Sequence, residues 1–186
     1  AAPISVQPVY SGPVYWIRNV VYNSHRGMQA LKLVDGDNVI FYHNTITCHW
    51  NDYGGCDYGD IRNNLFMGPD YLVSERDSKR DLKILKIGFK DKRSRFNCNA
   101  IRTGMKVEEP FNVKISGDPV SFNTLEDVYK NTGMLENFVE ITDYSIFLNA
   151  AEPDHAPSNM GHLYNPENVD LRLKNAVHKG ETSVHG

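Results

Sequence analysis

Short runs of alternating apolar and polar residues recur through the first half of the chain. In one run Leu31 and Leu33 flank Lys32, and in another, residues 85–89, apolar side chains alternate with Lys86 and a glycine. Successive side chains of a β-strand point to opposite faces, so a period of two predicts strands with one buried face. If these strands stack in register, Lys32 and Lys86 lie on one outer face.

One phrase, a β-rich run followed by an asparagine and a second β-rich run, occurs three times. The copies occupy residues 14–22, 39–47 and 60–67. Asn19, Asn44 and Asn64 hold equivalent places, at steps of 25 and 20 residues. A repeat of this length, built from strands and corners, predicts stacked coils that bury their inward faces against each other. Asparagine tolerates the left-handed backbone of a tight corner, and stacked Asn side chains can form a hydrogen-bonded ladder.

Other patterns separate and follow these phrases. Residues 48–59 predict a loop that interrupts the third coil, and residues 69–80 predict a charged excursion. Beyond Met105 the strongest signal is a helix that has Asn123 as its N-cap and Gly133 at its end. The helix carries acidic residues in its first turn and one apolar face, formed by Leu125, Val128 and Tyr129. Short strands are predicted at 138–141, 145–148 and 169–173, with a loop over 150–168.

Composition limits the class of protein. A chain of 186 residues fits one domain, and a net charge of -3 is not that of a general nucleic-acid binder. No apolar run approaches the roughly 20 residues that span a bilayer. The three cysteines argue against a fully paired disulfide framework; they are either all reduced or include a Cys48–Cys56 pair. The start at Ala1, inside a strand-like run, is typical of a mature or cut N-terminus.

The phrases resemble the repeats of right-handed parallel β-helix proteins, the pectate-lyase-like superfamily. Asn44-Thr45-Ile46 matches the repeat of that family directly, Asn19-Val20-Val21 and Asn64-Leu65-Phe66 match it more loosely, and the resemblance covers about residues 4–104. The later phrases Phe147-Leu148-Asn149 and Asp170-Leu171-Arg172-Leu173 resemble the C-terminal coils of bacterial secreted members.

The resemblance implies an all-β fold, a right-handed parallel β-helix (solenoid) with an irregular C-terminal segment containing one short helix. We expect one domain over residues 1–186, with regular coils over 1–104 and irregular coils and a cap over 105–186. Because the family continues further, the chain is expected to be the C-terminal portion of a longer bacterial solenoid, secreted or on the cell surface. The implied function is processing or binding of an extracellular polysaccharide, as a lyase or glycoside hydrolase acting on an acidic glycan.

The family's catalytic motifs are missing, so no catalytic residue is carried over from it. Ile46 stands where polygalacturonase-type members have the aspartate of Asn-Thr-Asp, and neither a paired-aspartate motif nor the arginine signature of pectate lyases is found. Candidates therefore come from residue chemistry alone. His43 is interpreted as a turn residue, and the Cys and His spacing does not predict zinc.

The candidates for proton transfer are Lys32, His25, Arg26 and His49. Those for binding a sugar chain are Trp50, Tyr53, Tyr58 and Lys86, with Lys90 extending a basic strip. Those for calcium, the one cofactor considered, are Asp52, Asp57 and Asp60. The alternative function is a non-catalytic structural or adhesive solenoid, whose open ends bind another copy or the remainder of a longer chain. A convergence of Lys32, Lys86 and residues 48–60 on one face favours carbohydrate binding, whereas end-to-end stacking favours the alternative.

Overall fold

The structure is a computed structural model of the chain. It describes residues 4–6, 13–22, 31–34, 38–47, 51–56, 58–67, 85–89, 93–103, 109–115, 117–150, 167 and 169–175. For 4–6, 31–34 and 51–56 it describes the backbone alone. The predicted excursion 69–80 and nearly all of the predicted loop 150–168 lie outside the described residues.

The strands, numbered in chain order, form three larger sheets. The first contains β1 (Ile4–Val6), β4 (Leu31–Val34), β7 (Asn51–Cys56), β10 (Leu85–Phe89), β13 (Phe111–Ile115) and β14 (Val120–Phe122), adjacent in that order. The second contains β2 (Val14–Ile17), β5 (Val39–Tyr42), β8 (Asp60–Arg62) and β11 (Arg95–Asn97). The third contains β3 (Val20–Tyr22), β6 (Thr45–Thr47), β9 (Leu65–Phe66), β12 (Ala100–Arg102) and β15 (Val139–Ile141).

The chain visits the three sheets in a fixed rotation. Every pairing in them joins strands three places apart in parallel, except that β13 and β14 are antiparallel neighbours. Parallel strands need a crossover connection, and here the crossover is the passage through the other two sheets. The prediction of an all-β chain with one short helix is confirmed for the described residues, and its sheets are parallel.

One hydrophobic core lies between the three sheets. The predicted alternation in β10 is confirmed, because its apolar residues are buried and Lys86 is exposed. Four rings follow one another through this core, with centroid distances of 6.4 Å from Trp16 to Phe41, 6.4 Å from Phe41 to Phe66 and 5.7 Å from Phe66 to Phe96. Such stacking of large rings adds to the free energy gained from burying their area.

The predicted asparagine ladder is present and longer than predicted. The side-chain Oδ1 of Asn44 accepts hydrogen bonds from the backbone N–H and Nδ2 of Asn19, at 2.9 and 3.1 Å. Asn64 accepts the same pair from Asn44, at 2.9 and 3.0 Å, and Asn99 accepts it from Asn64, at 2.9 and 3.0 Å. Three of these asparagines, at 44, 64 and 99, are buried, so the ladder satisfies polar groups that water does not reach.

The left-handed corner residue is not the asparagine itself, which corrects the prediction. The residue before each ladder asparagine has the positive φ: 58° at Arg18, 57° at His43, 58° at Asn63 and 55° at Cys98. The asparagine side chain instead bonds residues in neighbouring strands of the second sheet and in the corners between the second and third sheets. The interpretation of His43 as a turn residue is confirmed, since it holds the corner and is exposed.

The helix, α1 (Leu125–Thr132), covers one end of the core. Leu125 and Val128 are buried in the main core, whereas Tyr129 is 40% exposed and does not share their buried face as predicted. The N-cap is Thr124, whose hydroxyl accepts a hydrogen bond from the backbone N–H of Asp127 at 3.0 Å. The predicted cap was therefore wrong by one residue.

The predicted end of α1 is confirmed. Gly133 has φ 70° and donates its N–H to the carbonyl of Tyr129, as expected of a left-handed C-terminal residue. The predicted cap, Asn123, has a different partner, because its side chain accepts a hydrogen bond from the N–H of Glu109 at 3.1 Å.

The C-terminal residues cover the outer face of the third sheet. A 3-10 turn (Tyr144–Ile146) leads into β16 (Phe147–Asn149), which pairs antiparallel with β17 (Asp170–Leu173). The predicted strand at 145–148 thus begins later than expected, and the last predicted strand is confirmed. A second hydrophobic cluster joins the turn and β16 to the third sheet through Leu65, Met67, Ala100, Ile141, Tyr144 and Phe147.

Candidate functional site

A row of charged residues crosses the first sheet. Lys32 in β4 and Lys86 in β10 both pair with Asp52 of β7, which lies between those strands. Ser5 and Asn112 continue the same register position on the outer strands β1 and β13. The side chain of Lys86 is exposed. The register therefore brings together two predicted lysines and one predicted aspartate, on three adjacent strands about 4.8 Å apart.

The row exists because residues 51–56 form a strand, whereas the sequence predicted a loop there. Pairing with β4 on one side and β10 on the other provides hydrogen bonds along both edges of β7, which outweighs the low strand propensity of its glycines. The register shifts after the pair Gly54–Gly88, since Cys56 and not Gly55 pairs with Phe89. Gly55 is thus the extra residue of a bulge, a position at which glycine is common.

Two glycines lie beside the charged row. Gly54 pairs with Gly88, which is half-buried, and Gly88 pairs with the exposed Lys114 of β13. Glycine has no side chain, so a ligand can approach the backbone closely at this pair. The pair Tyr53–Ile87 lies between the charged row and the glycine pair, and the Ile87 side chain is buried. The first sheet thus places an exposed lysine, Lys86, close to a pair of residues without side chains.

Beside Lys86, the register position of the row is held by a buried amide, Asn112. The Nδ2 of Asn112 donates to the hydroxyl of Ser121 at 3.2 Å, and its Oδ1 is buried without a hydrogen-bond partner among the described residues. A buried acceptor without a donor is destabilising. The same register position continues from Asn112 to Ser121 of the antiparallel strand β14.

Asp60, a predicted calcium ligand, is held by an arginine and a tyrosine. Its carboxylate accepts hydrogen bonds from Arg62, at 2.6 Å from Nε and 2.8 Å from Nη2, and from the Tyr42 hydroxyl at 2.7 Å. Arg62 also lies 5.1 Å from the centre of the Tyr42 ring. Because a guanidinium already neutralises this carboxylate, Asp60 does not fit a calcium site. The calcium prediction now rests on Asp52 and Asp57, whose side chains lie outside the described part of the structure.

This cluster is suited to holding the second sheet together and not to moving protons. Burial raises the pKa of Tyr42, and the hydrogen bond to Asp60 raises it further, so the hydroxyl stays protonated. Burial alone would lower the pKa of Arg62, but its bonds to Tyr42 and Asp60 outweigh this, and the pKa is raised. Tyr42 is 8% exposed and Arg62 2% exposed, which leaves no access for a polymeric substrate.

Tyr58, a predicted sugar-binding residue, contacts an arginine. It lies at the corner before β8 with φ 55°, and its ring is 48% exposed. The guanidinium of Arg93 lies 4.0 Å from the centre of this ring and donates a hydrogen bond to the Tyr58 hydroxyl. The contact is a cation–π pair, so a sugar would have to share the ring with Arg93.

The remaining predicted site residues cannot be placed relative to this row. His25, Arg26, His49, Trp50, Asp57 and Lys90 lie outside the described residues. For Lys32, Asp52 and Tyr53 the backbone register is known and the side chain is not described. In the described part of the chain, no group of three or more His, Cys, Asp or Glu residues is arranged to hold a metal ion. Cys98 is buried.

Sequence reasoning missed Tyr42, Arg62 and Arg93. It predicted a fourth, degenerate corner over residues 94–100, which is confirmed, but it did not assign Asn99 to the ladder. One signal was available for Arg62, because residues two apart in a strand share a face and Asp60 and Arg62 carry opposite charges. Asn99 follows a left-handed corner like the other three ladder residues, but it is 35 residues from Asn64 and so falls outside the regular spacing. Tyr42 and Arg93 reach their partners only through the stacking of coils.

None of the helices in the described ranges is long and apolar enough to cross a membrane.

Comparison with known proteins gives no relative for this chain. No family model, no curated protein and no solved structure matches the chain.

Proposed function

We propose that the three sheets are the walls of a right-handed parallel β-helix of the pectate-lyase-like kind. The fixed rotation of the chain through three sheets of parallel strands supports this, as does the asparagine ladder at one corner. A right-handed turn is the expected sense because nearly all parallel crossovers are right-handed.

We propose that the outer face of the first sheet binds an acidic polysaccharide outside the cell. The observation that carries the proposal is the shared register of Lys32, Asp52 and Lys86 beside the paired glycines Gly54 and Gly88. The two lysines lie two strand spacings apart, roughly 10 Å, so their long side chains can approach one uronate unit of an extended chain from two sides. The glycines leave room for a sugar ring against the backbone.

Within this proposal, β-elimination is favoured over hydrolysis. Hydrolysis uses a pair of carboxyl groups about 5 to 10 Å apart, and Asp52 is the only carboxylate of the row. In β-elimination a cation neutralises the uronate carboxylate, which acidifies the adjacent C–H. A base then removes that proton, the glycosidic oxygen leaves with its electron pair, and a carbon–carbon double bond forms. Lys86, as a cation, is assigned to the carboxylate, and the uncharged amine of Lys32 is assigned as the base that takes the proton and becomes an ammonium.

The test measures binding and product separately. Polygalacturonate, alginate and a neutral glucan are each titrated into the full chain at low salt, and the same mixtures are followed for the absorbance of an unsaturated uronate. Lys86→Gln is expected to weaken binding of an acidic polymer by roughly fivefold, the upper range for an exposed ion pair. The matched control is Lys130→Gln, which removes an exposed lysine paired with Glu126 on α1. It is expected to leave binding unchanged.

Two results would overturn the proposal. One is that no acidic polysaccharide binds, and the other is that the neutral glucan binds as well as the uronates do. Binding without new absorbance would retain the binding site and reject the lyase activity. Equal loss of affinity in both lysine variants would show that net charge, not the row, attracts the polymer.

A further inference from the structure

The asparagine ladder is incomplete at Asn19. Each Oδ1 at Asn44, Asn64 and Asn99 accepts two hydrogen bonds from the asparagine of the preceding coil. The Oδ1 of Asn19 accepts none from the described residues, although its donors bond Asn44 as elsewhere in the ladder. All four side chains point the same way, so this acceptor faces away from the stack.

The Nδ2 group of Asn19 also differs from those of the other ladder asparagines, because it donates to its own coil. The Nδ2 groups of Asn44, Asn64 and Asn99 donate to carbonyl oxygens of the preceding coil, on Trp16, Phe41 and Ile61, at 2.8 to 3.0 Å. Asn19 instead donates to the nearby carbonyl of Ile17, at a longer 3.3 Å. Asn19 therefore has the hydrogen-bonding groups of an interior ladder residue without the coil that would engage them.

The ring stack ends at the same coil. Trp16 is half-buried and stacks on Phe41 with an angle of 8° between the rings, and no described ring follows it on the other side. Its indole Nε1 is buried, and no described residue accepts a hydrogen bond from it. β2 and β3 are also the last described strands of their sheets. Among the described residues, the asparagine ladder, the ring stack and the second and third sheets thus all end at β2 and β3.

We propose that this end of the stack binds one further coil, a strand–asparagine–strand segment of the same polypeptide that precedes β1 and runs parallel to β2 and β3. Its asparagine would donate its backbone N–H and Nδ2 to Oδ1 of Asn19. Its first strand would supply a ladder partner to β2, and an apolar residue would cover Trp16. The inference is independent of the proposed carbohydrate function, since it uses a different surface.

A second copy of the chain does not meet these requirements. Two copies joined through this end would bring the acceptor of one Asn19 against the acceptor of the other. Head-to-tail stacking would need donors at the opposite end, where Phe138 takes the ladder position after Asn99 and the buried residues of α1 cover the core. Only a coil with an asparagine at its corner provides both donors in parallel register.

The test adds such a coil to the intact chain. A copy of residues 14–30 is fused ahead of Ala1, so that the copied asparagine falls one coil before Asn19. We expect the thermal midpoint to rise by roughly 5 °C and the added segment to resist proteolysis. The matched fusion carries Ala in place of the copied asparagine, and it is expected to gain less than half of that rise. Light scattering of the unfused chain is expected to give a monomer.

Three results would overturn the inference. The first is rapid cleavage of the fused segment with no change in the thermal midpoint. The second is an equal thermal midpoint for the asparagine and alanine fusions. A stable dimer of the unfused chain that is lost in the fusion would show that a second copy occupies this end.

Discussion

The two ends of the stack differ in how they finish the core. At the far end, Leu125 and Val128 of α1 are buried, and Phe138, packed against the main core, replaces the ladder asparagine. At the near end the Oδ1 of Asn19 has no donor among the described residues, and Trp16 is half-buried. One end is closed by an amphipathic helix, and the other has the hydrogen-bonding pattern of an interior coil. Among the described residues, only the near end therefore offers unused ladder groups for a further coil such as the one we propose.

This difference bears on the alternative function, a self-associating structural solenoid. Growth of a fibre by head-to-tail contacts needs two complementary open ends. The α1 cap removes one of them, so end-to-end polymerisation of this chain is disfavoured. The convergence of Lys32 and Lys86 with Asp52, from the segment 48–60, favours the carbohydrate proposal instead.

The largest effect is expected where the cap meets the core. Leu125→Ala removes a fully buried side chain of α1 and should lower the free energy of unfolding by about 3 kcal/mol. Tyr129→Ala, on the exposed side of the same helix, should lower it by less than about 1 kcal/mol. Urea unfolding of both variants checks this. Equal losses would show that α1 does not close the core.

The ladder should be strong inside the stack and weak at its open end. Asn64→Ala removes two acceptor and two donor contacts in a buried position and should cost about 3 kcal/mol. Asn19→Ala removes only donor contacts at a half-buried site and should cost about 1 kcal/mol. Urea midpoints of the two variants give the comparison. If Asn19 proved as costly as Asn64, the near end would already be covered.

A smaller effect is expected at the end of α1. Gly133 has a positive φ, and a Cβ added there would meet no atom within 4 Å. Gly133→Ala should therefore cost only the backbone strain, about 1 kcal/mol. Thermal unfolding measures this loss, and Gly133→Asn should recover part of it because asparagine tolerates the left-handed region. A loss of several kcal/mol would mean that the site is more crowded than described.

The smallest effect is expected at acid pH, in the hairpin of β16 and β17. Hydrogen bonds from the Arg172 side chain and backbone lower the pKa of Asp170 to about 2. A lowered pKa in the folded state contributes stability above the ordinary value of 3.8, and this contribution is lost as the pH falls toward 2. Asp170→Asn and Arg172→Gln should each reduce the acid-induced fall in the urea midpoint. An unchanged fall in both would contradict the assignment.

The sequence predicted features whose signals are local. The strand–asparagine–strand phrases indicated the ladder at Asn19, Asn44 and Asn64, because a repeated residue in a repeated setting is visible without any contact. The alternation around Lys86 and the glycine after α1 were equally direct. The shared register of Lys32 and Lys86 was also expected, since like strands in successive coils align.

Features that depend on the neighbouring coil could not be predicted. Residues 51–56 contain two glycines and read as a loop, yet pairing on both edges makes them a strand. The bond from Tyr42 to Asp60 could not be predicted because the two residues are 18 apart in the chain, whereas Arg62, which neutralises Asp60, is only two residues away. The sequence predicted a left-handed backbone at the asparagine, but the residue before it has that conformation. The reason is the set of ladder hydrogen bonds to neighbouring strands, which the sequence does not show.

Native-state amide hydrogen exchange tests the contrast between the two ends most directly. It compares amides bonded to the next coil near the open end, on Val14 and Arg18, with the amides of Cys98 and Leu135 at the capped end. The account predicts that Val14 and Arg18 exchange through local opening, on the order of a hundredfold faster than Cys98 and Leu135. Equal protection at both ends, or slower exchange at Val14 and Arg18, would contradict it.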